Sequence, residues 1–63
     1  MLGIDAALTE LARLDARLAT VVEMRFFAGM KEAEIAQALG LSERTVRRDW
    51  EKSRILLADL MQR

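Results

Sequence analysis

Apolar residues recur every three or four positions along most of the chain, and this spacing predicts α-helices. A first helix is expected over about residues 4–14. A second helix is expected after Asp15, whose carboxylate can accept hydrogen bonds from the free backbone N–H groups of the first turn. Gly29 should end this helix, because glycine reaches positive φ without strain. The apolar face of the second helix is predicted to be Leu18, Val21, Val22 and Phe26.

Two further helices are predicted in the second half of the chain, joined by a very short turn. The third helix covers about residues 32–39 and ends at Gly40. The fourth begins after Ser42, a good N-cap, and has no break signal before the C-terminus. Its inward stripe is predicted to be Val46, Trp50, Ser53, Leu57, Leu60 and Met61. The fold class is therefore all-α, a four-helix bundle, with residues 1–63 forming one domain.

The turn between the third and fourth helices has the residue types of a helix-turn-helix. That motif needs a small residue where the helices cross, a turn residue tolerant of positive φ, and apolar residues on both inner faces. These positions are occupied by Ile35, Ala36, Leu39, Gly40, Leu41 and Val46. The pattern predicts a DNA-binding motif whose long C-terminal helix is the recognition helix. An ordinary αα-hairpin within a small bundle is the alternative.

Charge is distributed unevenly, although the chain carries ten basic and ten acidic side chains and no net charge. Residues 42–54 contain five basic and three acidic side chains, a balance of +2. Zero net charge argues against indiscriminate binding of polyanions, whereas a basic cluster on one helix favours a directed contact. Arginine can read guanine with two donors, and a carboxylate can accept a hydrogen bond from cytosine N4.

Three arginines of the fourth helix, Arg44, Arg47 and Arg48, are candidates for contacts to bases or phosphates. They cannot all face base edges, because neighbouring residues of a helix lie about 100° apart. A purely structural interpretation is that Arg47 forms an ion pair one turn away, with Glu43 or with Glu51. Glu43 is also a weaker candidate for base contact, because a glutamate in the first turn equally complements the helix dipole.

Lys31 stands where a serine or threonine would normally cap the third helix. Glu34 supplies the other half of a capping box, so the box is half present. Lys31 and the helix N-terminus could together meet a phosphate, and a merely suboptimal cap is the other interpretation. Thr45 and Lys52 are further phosphate candidates. The complete set of candidate DNA contacts is Lys31, Ser42, Glu43, Arg44, Thr45, Arg47, Arg48 and Lys52.

Several function classes are disfavoured by what the chain lacks. It has no cysteine, which supplies thiolate ligands, and no histidine, which is the commonest general base and metal ligand. We therefore expect no enzyme, no cofactor and no metal site. No apolar run approaches the ~20 residues that span a bilayer, and no signal peptide is evident, so a cytoplasmic protein is expected. Trp50, Phe26 and Phe27 are interpreted as core residues rather than a base-stacking platform.

Between Leu18 and Leu57 the chain resembles region four of bacterial sigma factors, in particular the extracytoplasmic-function (ECF) group. The resemblance depends on VVEMRFFAGM leading into EIAQALGLSERTVRRDW. The order of an Arg-Phe-Phe element, a glycine and a helix-turn-helix is typical of that group. It implies a sigma factor that directs RNA polymerase in transcription initiation and reads the −35 promoter element with the helix starting at Ser42.

The resemblance also implies protein partners and leaves the chain's context open. The flap of the RNA polymerase β subunit is one implied partner, and an anti-sigma factor that masks these surfaces is another. The promoter-melting and core-binding region two of sigma factors has no counterpart in these 63 residues. The chain is therefore expected to be either a part of a sigma factor or a diverged stand-alone protein.

Two other functions fit parts of the same sequence. A LuxR-type DNA-binding domain shares the IA…LG.S..TV pattern, although RFFAGM and RRDW favour the sigma interpretation. A protein-interaction module with vestigial DNA contacts is the second alternative, and the zero net charge supports it.

Overall fold

The computed structural model describes all 63 residues and contains four α-helices and no strand. A π-helical turn extends the second helix, and the fourth helix is by far the longest. The elements are α1 (Ile4–Leu14), α2 (Ala16–Val22), the π-turn (Glu23–Phe27), α3 (Glu32–Leu39) and α4 (Glu43–Met61). The all-α prediction is confirmed, and the predicted bounds of the first and third helices agree with those of α1 and α3. None of the helices combines the length and apolar character needed to cross a bilayer.

The helix ends form where local sequence signals place them. The Asp15 carboxylate accepts hydrogen bonds from the backbone N–H groups of Arg17 and Leu18, at 3.1 and 3.4 Å. The Ser42 hydroxyl accepts from the Thr45 N–H at 3.1 Å, which satisfies one free donor at the start of α4. Gly29 and Gly40 are the only residues with positive φ, both at 68°. Both predicted N-caps and both glycine stops are therefore confirmed.

The buried apolar side chains form two clusters that share α4. The first lies among α1, α2 and the second half of α4, and its members are Ala7, Leu11, Leu18, Ala19, Val22, Leu57 and Leu60. The second joins α2 and α3 to the first half of α4 through Val21, Ile35, Ala36 and Val46. Trp50 packs against both clusters, as a core residue should. The long helix α4 is thus held along its length, by α3 at its start and by α1 near its end.

A polar contact also crosses the interior between α2 and α4. Asp49 is only 4% exposed, and Arg17 approaches its carboxylate with Nε 2.8 Å from Oδ2 and Nη2 3.3 Å from Oδ1. The shorter approach is an ionic contact, since Oδ2 has no aligned hydrogen bond. The buried Ser53 hydroxyl donates toward the carbonyls of Asp49 and Leu18, at 2.7 and 3.3 Å. These contacts fix how α4 lies on α2.

The two phenylalanines contradict the sequence prediction, which placed them in the core. Phe26 is 67% exposed and Phe27 57% exposed, with their rings edge to face and centroids 5.2 Å apart. The reason is the π-turn, in which the Ala28 N–H donates to the Glu23 carbonyl at 3.0 Å. A π-turn closes over five residues rather than four, so Phe26 does not return to the inward face that Val22 occupies.

Candidate nucleic-acid interface

The α3–turn–α4 segment has the geometry of a helix-turn-helix. Gly40 takes the left-handed conformation (φ 68°, ψ 33°), and the Leu41 N–H donates to the Ala36 carbonyl at 2.9 Å. Ala36, the small residue at the crossing, and Val46 lie in the same buried cluster. The tight turn and this shared cluster hold α4 against α3, so the opposite side of α4 faces outward.

Three basic residues lie in a row on the outward side of α4. Arg44, Arg48 and Lys52 are spaced by four residues, so each lies about 40° around the helix from the one before. All three are exposed, and none forms an ion pair. The row runs for about 12 Å along the helix at 1.5 Å per residue, comparable to the ~12 Å width of the major groove. We call these three residues the free basic row.

Arg47 differs from its neighbours because it is bonded to α3. Its Nε donates to Glu32 Oε1 at 3.3 Å, across 15 positions of sequence. Neither predicted pairing, with Glu43 or with Glu51, forms; Glu51 instead lies 3.5 Å from Arg54. Glu32 was not among the residues predicted from the sequence, since a glutamate in a first helical turn is already explained by the helix dipole.

The polar residues at the start of α4 are mostly engaged within the turn. The Ser42 hydroxyl donates to Thr45 Oγ1 at 3.0 Å, in addition to its capping bond. Thr45 is half-buried, whereas Glu43 is exposed and forms no ion pair. These residues therefore shape the N-terminus of α4, and Glu43 alone among them projects a free charge.

Ion pairing engages half of the charges in this part of α4 and leaves its balance at +2, because Glu32 of α3 pairs with Arg47 just as Arg17 of α2 pairs with Asp49. Of its three acidic residues, Asp49 is paired with Arg17 of α2 and Glu51 with Arg54. Glu43 remains as the single free acid beside the free basic row. The zero net charge of the whole chain thus conceals a locally positive surface.

Lys31 caps α3 without a side-chain hydrogen bond and forms no ion pair. Its backbone N–H donates to Glu34 Oε1 at 2.8 Å, so the predicted half of a capping box is confirmed. Because Lys31 directly precedes Glu32, the contact between Glu32 and Arg47 also brings the start of α3 beside α4. Lys31 is thus the immediate chain neighbour of the residue that joins α3 to α4.

A separate apolar groove of about 320 Å³ lies along the second half of α4. Its lining residues come from α1, α2, the π-turn and α4: Ile4, Val22, Phe26, Trp50, Arg54, Leu57, Ala58 and Met61. The Arg25 guanidinium lies 5.7 Å from the centroid of the Trp50 ring, within cation–π range. The molecule therefore has a basic surface on the helix-turn-helix and an apolar one nearer its C-terminus.

Comparison with known proteins agrees with this arrangement. A family model described as ECF sigma factor matches residues 1–63. No curated protein and no solved structure matched the chain in the corresponding searches. The match favours the sigma interpretation over the LuxR-type alternative, and it concerns a family of transcription factors rather than of enzymes. This chain belongs to the family of ECF sigma factors, which act in transcription initiation with RNA polymerase and promoter DNA.

Proposed function

We propose that the chain recognises the −35 promoter element by placing the N-terminal half of α4 in the major groove. The observation that carries this proposal is the free basic row, three unpaired cations on the outward side of a helix whose inner side is locked onto α3. A vestigial DNA surface would not need to keep these three cations unpaired while Asp49 and Glu51 of the same helix are paired with other arginines.

The residues of this surface divide by position into two roles. The N-terminal residues of a recognition helix meet base edges, so Arg44 and Arg47 are assigned to bases and Glu43 to a cytosine N4 group. Residues farther along α4 or at its flanks meet the sugar-phosphate backbone. This second set comprises Lys31, Ser42, Thr45, Arg48 and Lys52. We further infer that residues 1–63 work as one domain, because α4 contributes to both core clusters.

The RNA polymerase contact is assigned to the flap of the β subunit, bound at the apolar groove. Phe26 stays exposed at the edge of this groove, although burial of a phenylalanine is normally favourable. The groove follows the second half of α4, whereas the base-reading arginines lie in its first half, so both partners can bind together. An anti-sigma factor would act by covering either surface. This function places the chain in the cytoplasm, with the transcription machinery.

The proposal is tested by selecting duplexes from a randomised pool with the 63-residue chain. We expect an enriched motif of a few base pairs, with at least one G·C pair, because two arginines are assigned to bases. Arg44→Ala should weaken or relax that motif. Arg13→Ala removes an exposed arginine on α1 and should leave it unchanged. A pool that stays random after selection contradicts the proposal.

A further inference from the structure

We propose that Glu32 is a positioning residue for base recognition, which holds Arg47 so that its terminal nitrogens can read a guanine. The inference rests on the proposed function, since it assigns a role within the same DNA surface. It adds that the start of α3 contributes to sequence preference without touching a base.

The geometry leaves the reading end of Arg47 free. Glu32 accepts from Nε, the nitrogen nearest the backbone, at 3.3 Å, and neither Nη atom of Arg47 forms a hydrogen bond. A guanine offers N7 and O6 as two adjacent acceptors, which two terminal donors of one guanidinium can meet together. The Glu32 side chain is 26% exposed and that of Arg47 61% exposed, so the anchored end is sheltered and the free end is in solvent.

Anchoring changes the entropic cost of recognition. A free arginine loses rotamer freedom when it binds a base, and a contact that already restrains the side chain lowers that cost. Arg44 and Arg48 have no such contact. Arg47 should therefore discriminate between bases more strongly than Arg44, although both lie in the first half of α4.

The same carboxylate should lower affinity for DNA in general. Glu32 is a negative charge at the edge of a surface that approaches phosphates, and like charges repel. Its removal should thus raise affinity for unrelated duplexes while reducing preference for the cognate base. A glutamate that served only the helix dipole of α3 would change stability and leave base preference unaltered.

The experiment measures dissociation constants on the selected duplex and on duplexes in which each G·C pair is replaced by A·T. Arg47→Ala identifies the position that Arg47 reads. Glu32→Ala should reduce preference there by about five-fold or more, within the range of one bidentate contact. Glu32→Gln keeps an oxygen that can accept from Nε and should be intermediate. The double variant should lose little beyond Arg47→Ala alone, because both changes remove one interaction.

Glu34→Gln is the matched control. It removes a negative charge from the same turn of α3, but glutamine can still accept the Lys31 N–H as in a capping box. It should raise affinity on all duplexes and leave preference unchanged. Thermal melting of each variant verifies folding, and Glu32→Gln carries the test if Glu32→Ala melts early.

The outcomes separate this inference from the proposed function. If Glu32→Ala and Glu32→Gln both keep full preference at the position that Arg47→Ala loses, Glu32 does not position Arg47, and the DNA-binding function stands. If Arg47→Ala loses no base preference while Arg44→Ala does, Arg47 reads no base. The positioning role of Glu32 then fails, and the DNA-binding function stands. If the parent chain distinguishes no base at any position, the proposed function itself fails, and this inference with it.

Discussion

Asp49 is the one charged side chain that the fold buries, and Arg17 is its only charged partner. A buried carboxylate without a partner is costly, because water no longer solvates it. Arg17 reaches it from the first turn of α2, across 32 positions of sequence. The pair therefore helps to set the orientation of α4 on α2 through a contact that does not involve the free basic row.

Loss of Arg17 should destabilise the protein. Arg17→Met leaves the Asp49 carboxylate without its cation and should lower the free energy of unfolding by about 1–3 kcal/mol. The effect is below that of a fully buried pair, because the Arg17 side chain is about half exposed. Urea denaturation measures it.

Two further variants make this test specific. Arg13→Met breaks an exposed ion pair with Glu10 and should cost at most about 1 kcal/mol. The double variant Arg17→Met and Asp49→Leu should recover most of the lost stability, because no charge is then buried. Equal stability of Arg17→Met and Arg13→Met would show that Asp49 does not depend on Arg17.

The turn at Gly40 determines the angle between α3 and α4, on which the proposed DNA contact depends. A Cβ added there would meet no atom within 4 Å, so any cost of substitution arises from the backbone conformation alone. Gly29 has the same φ of 68° and equally open surroundings, but it lies outside the helix-turn-helix. Substitutions at both glycines should therefore lower stability through backbone strain, but only those at Gly40 should also alter DNA binding.

Substitution of Gly40 should reduce both stability and DNA binding. Gly40→Asn should be mildest, Gly40→Ala should cost about 1 kcal/mol or more, and Gly40→Val should be worst. A loss of 1 kcal/mol corresponds to a fall of about 4–8 °C in melting temperature for a domain of this size. Thermal melting and a promoter-duplex shift assay measure the two effects.

Gly29→Ala is the control for this series. It should lower the melting temperature by a similar amount but leave DNA affinity unchanged at temperatures where the protein is folded. If all Gly40 variants melt with the parent and bind DNA equally well, the turn does not depend on Gly40.

The whole molecule carries two surfaces with different chemistry, although its net charge is zero. Lys31 and the cations of α4 form the basic surface, and ion pairs engage Glu32, Asp49 and Glu51 near it. The π-turn places Phe26 at the apolar groove, where Ile4 is also partly exposed. DNA binding should therefore depend on salt, and polymerase binding on apolar contact.

DNA affinity should fall with salt in proportion to the number of phosphates contacted. With roughly three to five contacts at about −0.9 each, the slope of log affinity against log salt should be about −2.7 to −4.5. Lys52→Ala should weaken matched and scrambled duplexes equally and reduce the slope by about 1. Fluorescence anisotropy at several salt concentrations measures both, and a salt-independent affinity would favour the protein-interaction alternative.

Polymerase binding should be separable from DNA binding. Phe26→Ser removes an exposed apolar side chain at the groove, so it should weaken binding to the isolated β flap several-fold while leaving stability and DNA affinity nearly unchanged. Leu14→Ser, at an equally exposed site at the end of α1, is the control and should have no effect. Unaltered flap binding by Phe26→Ser, measured by calorimetry, would contradict the assignment of the groove.

Local physics accounts for the features that could be predicted from the chain alone. The caps at Asp15 and Ser42 and the stops at Gly29 and Gly40 depend on hydrogen bonds and backbone angles within a few residues. Helical spacing of apolar residues identified most of the core, because the period of an α-helix is also a local property of the backbone. The helix-turn-helix was predictable because its requirements are local, as was the outward position of Arg44.

Contacts between distant segments could not be predicted in this way. Phe26 was expected inside because an α-helical period was assumed, and a single π-turn altered that period. The pairing of Arg47 with Glu32 and of Arg17 with Asp49 spans 15 and 32 positions. Each pairing depends on how α2, α3 and α4 pack together. Apolar spacing identifies the buried face of each helix, but it does not specify which charged residues of two helices come within 4 Å of each other.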